Sequence, residues 1–211
     1  MKFKMLMLAA LWALPAVAEE GPAPWMLQPL RPPSRLAIRD LSLRVDYPER
    51  GTPGNVRVEA QAELSNEYAS ACDEQFLILN GDAASRVSWK GKELKQDRLV
   101  MQIPDSPGQE MTRVSIFHLI LLPQEKGVLK FSGLHRLDFG APNRHRLRLI
   151  FPLRRAWHHV GESEVQVALA PELDLLSRDF QPVRGQPGTF RRHFGAYSKA
   201  LELSVEAKLT G

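Results

Sequence analysis

"NVRVEAQAELS", residues 55–65, is the stretch on which the fold is decided. Val56, Val58, Ala60, Ala62 and Leu64 alternate with Arg57, Glu59, Gln61 and Glu63. Successive side chains of an extended chain point to opposite sides, so a period of two reads as a strand with one buried and one wet face. The same alternation runs through Leu99/Met101/Ile103, Leu147/Leu149/Phe151, Val165/Val167/Leu169 and Leu201/Leu203/Val205. "RLAIRDLSLRVDY" (35–47) alternates twice but slips phase near Asp40, where a bulge would restore the register. "QFLIL" (75–79) and "VSIFHLILL" (114–122) are apolar on both faces and read as central strands covered from both sides.

The punctuation between these segments agrees. "YPERGTPGN", "LNGDAAS", "WKGKE", "IPDSPGQE", "PQEKG" and "VRGQPG" are Gly, Pro, Asn and Asp clusters of the kind that turn a chain. "SWKGKEL" (88–94) reads as a tight hairpin around Lys90 and Gly91, and "PELDLLSRDF" (171–180) as one or two helical turns at most. Many strands on short turns make an all-β chain, an antiparallel β-sandwich. "PDSPGQE" (104–110) is the natural seam. It divides the chain into lobes at 35–104 and 111–211, or else forms a long loop in a single larger sandwich over 35–211; two lobes are the expectation.

The N-terminus carries an address. In "MKFKMLMLAALWALPAVAEE", Lys2 and Lys4 precede an apolar run from Met5 to Leu14, and Ala16-Val17-Ala18 supplies small residues where a signal peptidase reads. Residues 1–18 therefore read as a cleaved signal peptide, and the mature chain as exported, to the periplasm or the extracellular space. The run is far short of the roughly 20 residues that span a bilayer, and no later stretch is long and apolar enough either. Residues 19–34, "EEGPAPWMLQPLRPPS", read as a Pro-rich leader that Trp25, Met26 and Leu27 could pin to the body.

Composition excludes several functions. The formal charge of +4 includes Lys2 and Lys4, so the mature chain holds 26 basic against 24 acidic side chains, a poor profile for nucleic-acid binding. Cys72 is the sole cysteine, which rules out an internal disulfide. There is no G-x-S-x-G elbow, Walker loop or dinucleotide fingerprint. Asp73 and Glu74 beside Cys72 oppose a thiolate. No cofactor is implied, and no enzymatic activity is expected.

Two features could carry a site. Arg144, Arg146 and Arg148 share one strand face while His145, Leu147, Leu149 and Phe151 share the other, and Arg154, Arg155 and Trp157 follow. Guanidiniums in a line grip phosphate, sulfate or carboxylate groups, and Trp157 could stack on a sugar. The plainer reading is a solvated face neutralised by cross-strand acids such as Glu162, Glu164, Glu202 or Glu206. "FRRHF" (190–194) repeats the theme and could lie beside it. His158 and His159 are weak metal candidates, because neighbours on a strand point apart and do not converge on one ion.

Residues 36–103 are similar in cadence to a known domain. An alternating strand ends at Asn66, an apolar run spans Phe76 to Asn80, a strand spans Val87 to Trp89, and a turn holds Gly91. In this the segment resembles the N-terminal β-domain of M1-type metallopeptidases. The resemblance implies a β-domain and nothing catalytic, since no histidine here is followed by glutamate and the helical H-E-x-x-H zinc motif is missing. The resulting expectation is an exported, non-catalytic β-sandwich that binds or scaffolds an envelope or secretion-pathway protein. The alternatives are an acidic-glycan or anionic-lipid binder using the arginines, and a hydrolase with an unrecognised metal-dependent site. Intact-mass analysis of the exported protein should find Glu19 as its first residue; a retained residue 1–18 segment would refute the signal reading.

Overall fold

A computed structural model describes residues 25–47, 55–79, 85–102, 111–137, 144–150, 156–195 and 202–209. The segment read as a signal peptide, residues 1–18, and the candidate seam at 104–110 lie outside them. Fifteen strands occur among the described residues. The first seven are β1 Trp25–Pro29, β2 Leu36–Asp46, β3 Asn55–Asn66, β4 Cys72–Leu79, β5 Arg86–Trp89, β6 Lys92–Glu93 and β7 Gln96–Gln102. The rest are β8 Met111–Leu121, β9 Lys126–Arg136, β10 Arg144–Ile150, β11 His159–Ala168, β12 Leu173–Leu175, β13 Gln181–Pro182, β14 Thr189–Phe194 and β15 Glu202–Leu209.

They form two sheets. One has the order β12-β15-β10-β1-β4-β8-β7, the other β13-β14-β11-β2-β3-β9-β5-β6. Both draw strands from each side of residues 104–110. The expected all-β class is what forms, with one addition: the sheets are mixed, because β1 runs parallel to β10 and β2 parallel to β11. Parallel neighbours need long connections, and strands distant in sequence supply them here.

The alternation of residues 55–65 is realised in β3, where Val56, Val58, Ala60, Ala62 and Leu64 are buried and Arg57 and Gln61 exposed. These inward residues meet Phe76, Ile78, Phe117, Leu119, Leu147, Leu149, Leu203 and Val205 of the other sheet in one continuous core. At its centre Phe76 stacks between Phe117, at 5.7 Å, and Trp157, at 5.3 Å. β4 and β8 are covered on both faces over Phe76–Leu79 and Val114–Phe117, whereas His118 and Ile120 further along β8 are exposed on the outer side. Leu77, Leu79, Val114 and Ile116 join Met26 in a second cluster on the face away from the core.

The structure departs from expectation in the short elements. β6, β12 and β13 span only two or three residues, too few for any period to register. Residues 171–180 form turns around β12 rather than helix. Part of the Pro-rich leader becomes a central strand: β1 sits between β10 and β4 with Trp25 and Leu27 in the core, and its one proline is at its last position.

The phase slip in β2 is a bulge. Ile38 pairs with Leu64 and Asp40 with Glu63, leaving Arg39 as the extra residue. On the other side β11 keeps step by carrying an extra residue of its own: Val160 pairs with Ile38 and Glu162 with Asp40, with Gly161 in between. A Cβ on Gly161 would lie 2.1 Å from the Arg39 carbonyl oxygen. Only glycine admits that approach. Gly161→Ala should therefore lower unfolding free energy by about 2 kcal/mol or more in urea titration. Gly195→Ala, where a Cβ would meet nothing within 4 Å, serves as the neutral comparison.

Candidate functional site

The arginine strand is where its sequence places it. In β10, Leu147 and Leu149 point into the core, and His145 shares their side. Burial holds the His145 imidazole below its usual range, so it is uncharged at neutral pH and adds nothing to the row of cations. Arg144, Arg146 and Arg148 face outward from the sandwich in graded environments: Arg144 is exposed, Arg146 half-buried and Arg148 only 6% exposed. Their partners on β15 are Lys208, Glu206 and Ser204 respectively, and Asp174 of β12 flanks Lys208. Like charges directly opposite are unfavourable, and Glu206 and Asp174 offset them. Of the acids expected as neighbours, Glu162 and Glu164 belong to β11 in the other sheet, and Glu202 lies opposite Ile150. β14, which carries "FRRHF", is also in that other sheet beside β11, so the two basic strands do not adjoin. Arg154 and Arg155 lie outside the described residues. Trp157 is 2% exposed and its ring is committed to the stack on Phe76, away from any ligand surface.

His158 and His159 part company. His159 opens β11 opposite Ala37. His158, exposed, lies between two neighbours in the chain, with Nδ1 3.3 Å from the Tyr68 hydroxyl and Nε2 3.6 Å from the Glu67 carboxylate. The Arg35 guanidinium sits over the Tyr68 ring at 4.6 Å and donates to the Ser70 hydroxyl at 2.6 Å. Arg39, the bulged residue of β2, reaches Glu67 as well. Among the described residues no group of three or more His, Cys, Asp and Glu side chains is placed to hold a metal ion.

This corner is tied below by Glu74 and Asn66. Glu74 accepts from the Ser34 hydroxyl at 2.5 Å, the Arg35 amide at 2.8 Å and the Cys72 thiol at 3.0 Å. Asn66 Nδ2 lies within reach of the Ser70, Leu121 and Leu122 carbonyls, while Oδ1 accepts from the Tyr68 amide. Burial, then the Glu74 hydrogen bond and charge, push the Cys72 thiol up to about 12. A thiol held protonated is no nucleophile. The arrangement therefore locks four chain segments together. Of the residues that build it, Glu74 registers in the sequence only as an acid beside Cys72, and the types of Arg35, Glu67 and Tyr68 carry no signal there.

The sheet edges differ from one another. Three of the four are closed by β12, β13 and β6, strands of two or three residues. The fourth is β7, seven residues long and unpaired on its outer side among the described strands. Along it Leu99 is 37% and Val100 59% exposed. Leu99 begins a cross-strand apolar row that continues through Val114 and Leu79 to Met26. An uncovered edge of this length offers backbone donors and acceptors to another chain, a liability that proteins usually blunt.

No family model and no curated protein sequence matches this chain. Solved structures do. A "putative nutrient binding protein" from Legionella pneumophila superposes with a TM-score of 0.68 at 8% identity, over 88% of this chain and 72% of that one. At that identity the likeness is one of fold. M1 zinc metallopeptidase from Deinococcus radiodurans matches with a TM-score of 0.42 at 13% identity, over 82% of this chain and 42% of that one. Yeast LTA4 hydrolase with bestatin matches with 0.48 at 11% identity, over 97% and 33%. M1 structures are thus among the matches, at low identity, and this chain spans less than half of their length.

The Glu74 lock has a measurable consequence. In the folded protein, alkylation of Cys72 by iodoacetamide at pH 8 should run at least about a hundredfold slower than in urea, followed by mass spectrometry. Similar rates in both states would show the thiol to be accessible and ionised, contrary to the geometry.

Proposed function

We propose that this chain is an exported, non-catalytic binding module that engages another envelope or secreted protein by accepting one of its strands. The observation that carries the reading is the seven-residue β7 edge with Leu99 and Val100 exposed beside it. β-Strand addition takes its affinity from main-chain hydrogen bonds along such an edge and its specificity from alternate side chains. Glu206 opposite Arg146 and Asp174 opposite Lys208 lower the positive charge of that face, which weighs for a protein partner over an anionic glycan or lipid. The fold likeness to a chain described as a nutrient binding protein supports a binding role over a catalytic one. Among the described residues, no helix is long and apolar enough to cross a membrane.

In-cell cross-linking of the tagged protein with mass spectrometry tests the reading. One dominant protein partner is expected, with its yield reduced at least about fivefold in Leu99→Asn/Val100→Pro, a pair that removes an amide and β-propensity from the edge. Circular dichroism would establish that the variant is folded. A partner lost in Arg146→Ser but kept in the edge variant would overturn the edge reading in favour of the arginine face.

A further inference from the structure

The reading of β7 as a binding edge leaves open what kind of strand it takes, and the residues on its two faces narrow the choice. On the outer face Leu99 ends the apolar row of Val114, Leu79 and Met26. A strand added beside β7 would place one side chain directly opposite Leu99, where an apolar residue extends the row into a fifth strand. On the opposite face the pattern is basic. Arg98 pairs with Ser115 and Val100 with Arg113, so the two arginines are diagonal neighbours on one side of the sheet; both are exposed, and the Arg98 guanidinium also donates to the Ser85 carbonyl at 3.1 Å, a neutral acceptor that leaves its charge in place. Lys95 leads into the strand, and the only acid at an exposed position of β7 is Asp97, on the outer face.

The occupant must match both faces. A second copy of this chain brings the same surplus of cations to the edge and is opposed by it. A strand with acids on one side meets Arg98 directly and lies about two strand spacings, roughly 10 Å, from Arg113, about one Debye length at 0.1 M salt. We propose that β7 accepts an extended segment of a partner protein that alternates apolar residues, set against Leu99, with acidic residues, set against Arg98 and Arg113. This rests on the strand-addition reading above and specifies its partner.

The test uses the purified full chain and synthetic peptides as long as β7, seven residues. One alternates valine with glutamate, a second alternates valine with lysine, and a third has the first one's composition with valines and glutamates in separate blocks. Fluorescence anisotropy at low and high salt is the readout. The alternating acidic peptide should bind at least about tenfold tighter than either of the others, with less advantage at high salt. Its advantage over the lysine peptide should invert in the folded Arg98→Glu/Arg113→Glu variant. Equal binding of alternating and blocked acidic peptides would reduce the effect to bulk charge and overturn the proposal. So would an acidic preference that survives the charge reversal. If the peptides are not discriminated while the cellular partner is still lost in the edge variant, strand addition stands and the acidic-segment inference falls.

Discussion

The carbonyl oxygen of Arg39 occupies the space where residue 161 would otherwise carry a side chain, and the eight-stranded sheet is organised around that contact. A sandwich requires each strand to keep its apolar set on the inner side, and a one-residue slip would turn that set outward. The bulge at Arg39 is such a slip within β2. On one side β3 passes it without an extra residue, and the register shifts. On the other, β11 reproduces it with Gly161 and stays paired to Ala168. Val160 and Val165 both reach the core because the slip is copied.

The same device turns a packing problem into surface chemistry. With Arg39 displaced outward alongside Asp40, its guanidinium reaches Ser65 and Glu67, and Glu67 in turn lies beside His158 just ahead of β11. The corner built on Tyr68 and Glu74 thus stands where β2, the β3–β4 connection and the entry to β11 converge. A rigid corner at one end and an open edge at β7 give the sandwich two unlike surfaces. One is saturated with its own hydrogen bonds. The other has one side of a strand unmatched by any described neighbour.

What could be read from the chain followed its periodicity. The strand at 55–65, the doubly apolar strands around Phe76 and Phe117, the slip near Asp40 and the inward and outward sides of β10 are all local patterns, and local patterns survive in sequence. The pairing of strands does not. The alternation placed Arg146 on an outer face, but Glu206 became its neighbour only through the β10–β15 ladder. Trp157 after a run of arginines suggested a ligand platform, whereas tertiary contact with Phe76 made it core. Proline made residues 19–34 read as a tether, and the gain from burying Trp25 and Leu27 outweighed that preference. Which strand forms an edge is a property of topology alone, so β7 could not be singled out by its residues.

The position of β1 bears on how the chain reaches this state. β1 leaves the ribosome before either of its neighbours, since its ladder partners are Phe76 to Leu79 on one side and Leu149 and Ile150 on the other. At roughly 5–20 residues per second, the middle of the seven-stranded sheet would wait on the order of ten seconds for its second neighbour. Contacts this distant in sequence also make for slow closure once the chain is complete. For a chain read as exported, that delay is useful. A sheet that cannot close until most of its residues are made stays threadable, and under the proposed export the order of synthesis itself would help to keep the chain unfolded ahead of translocation.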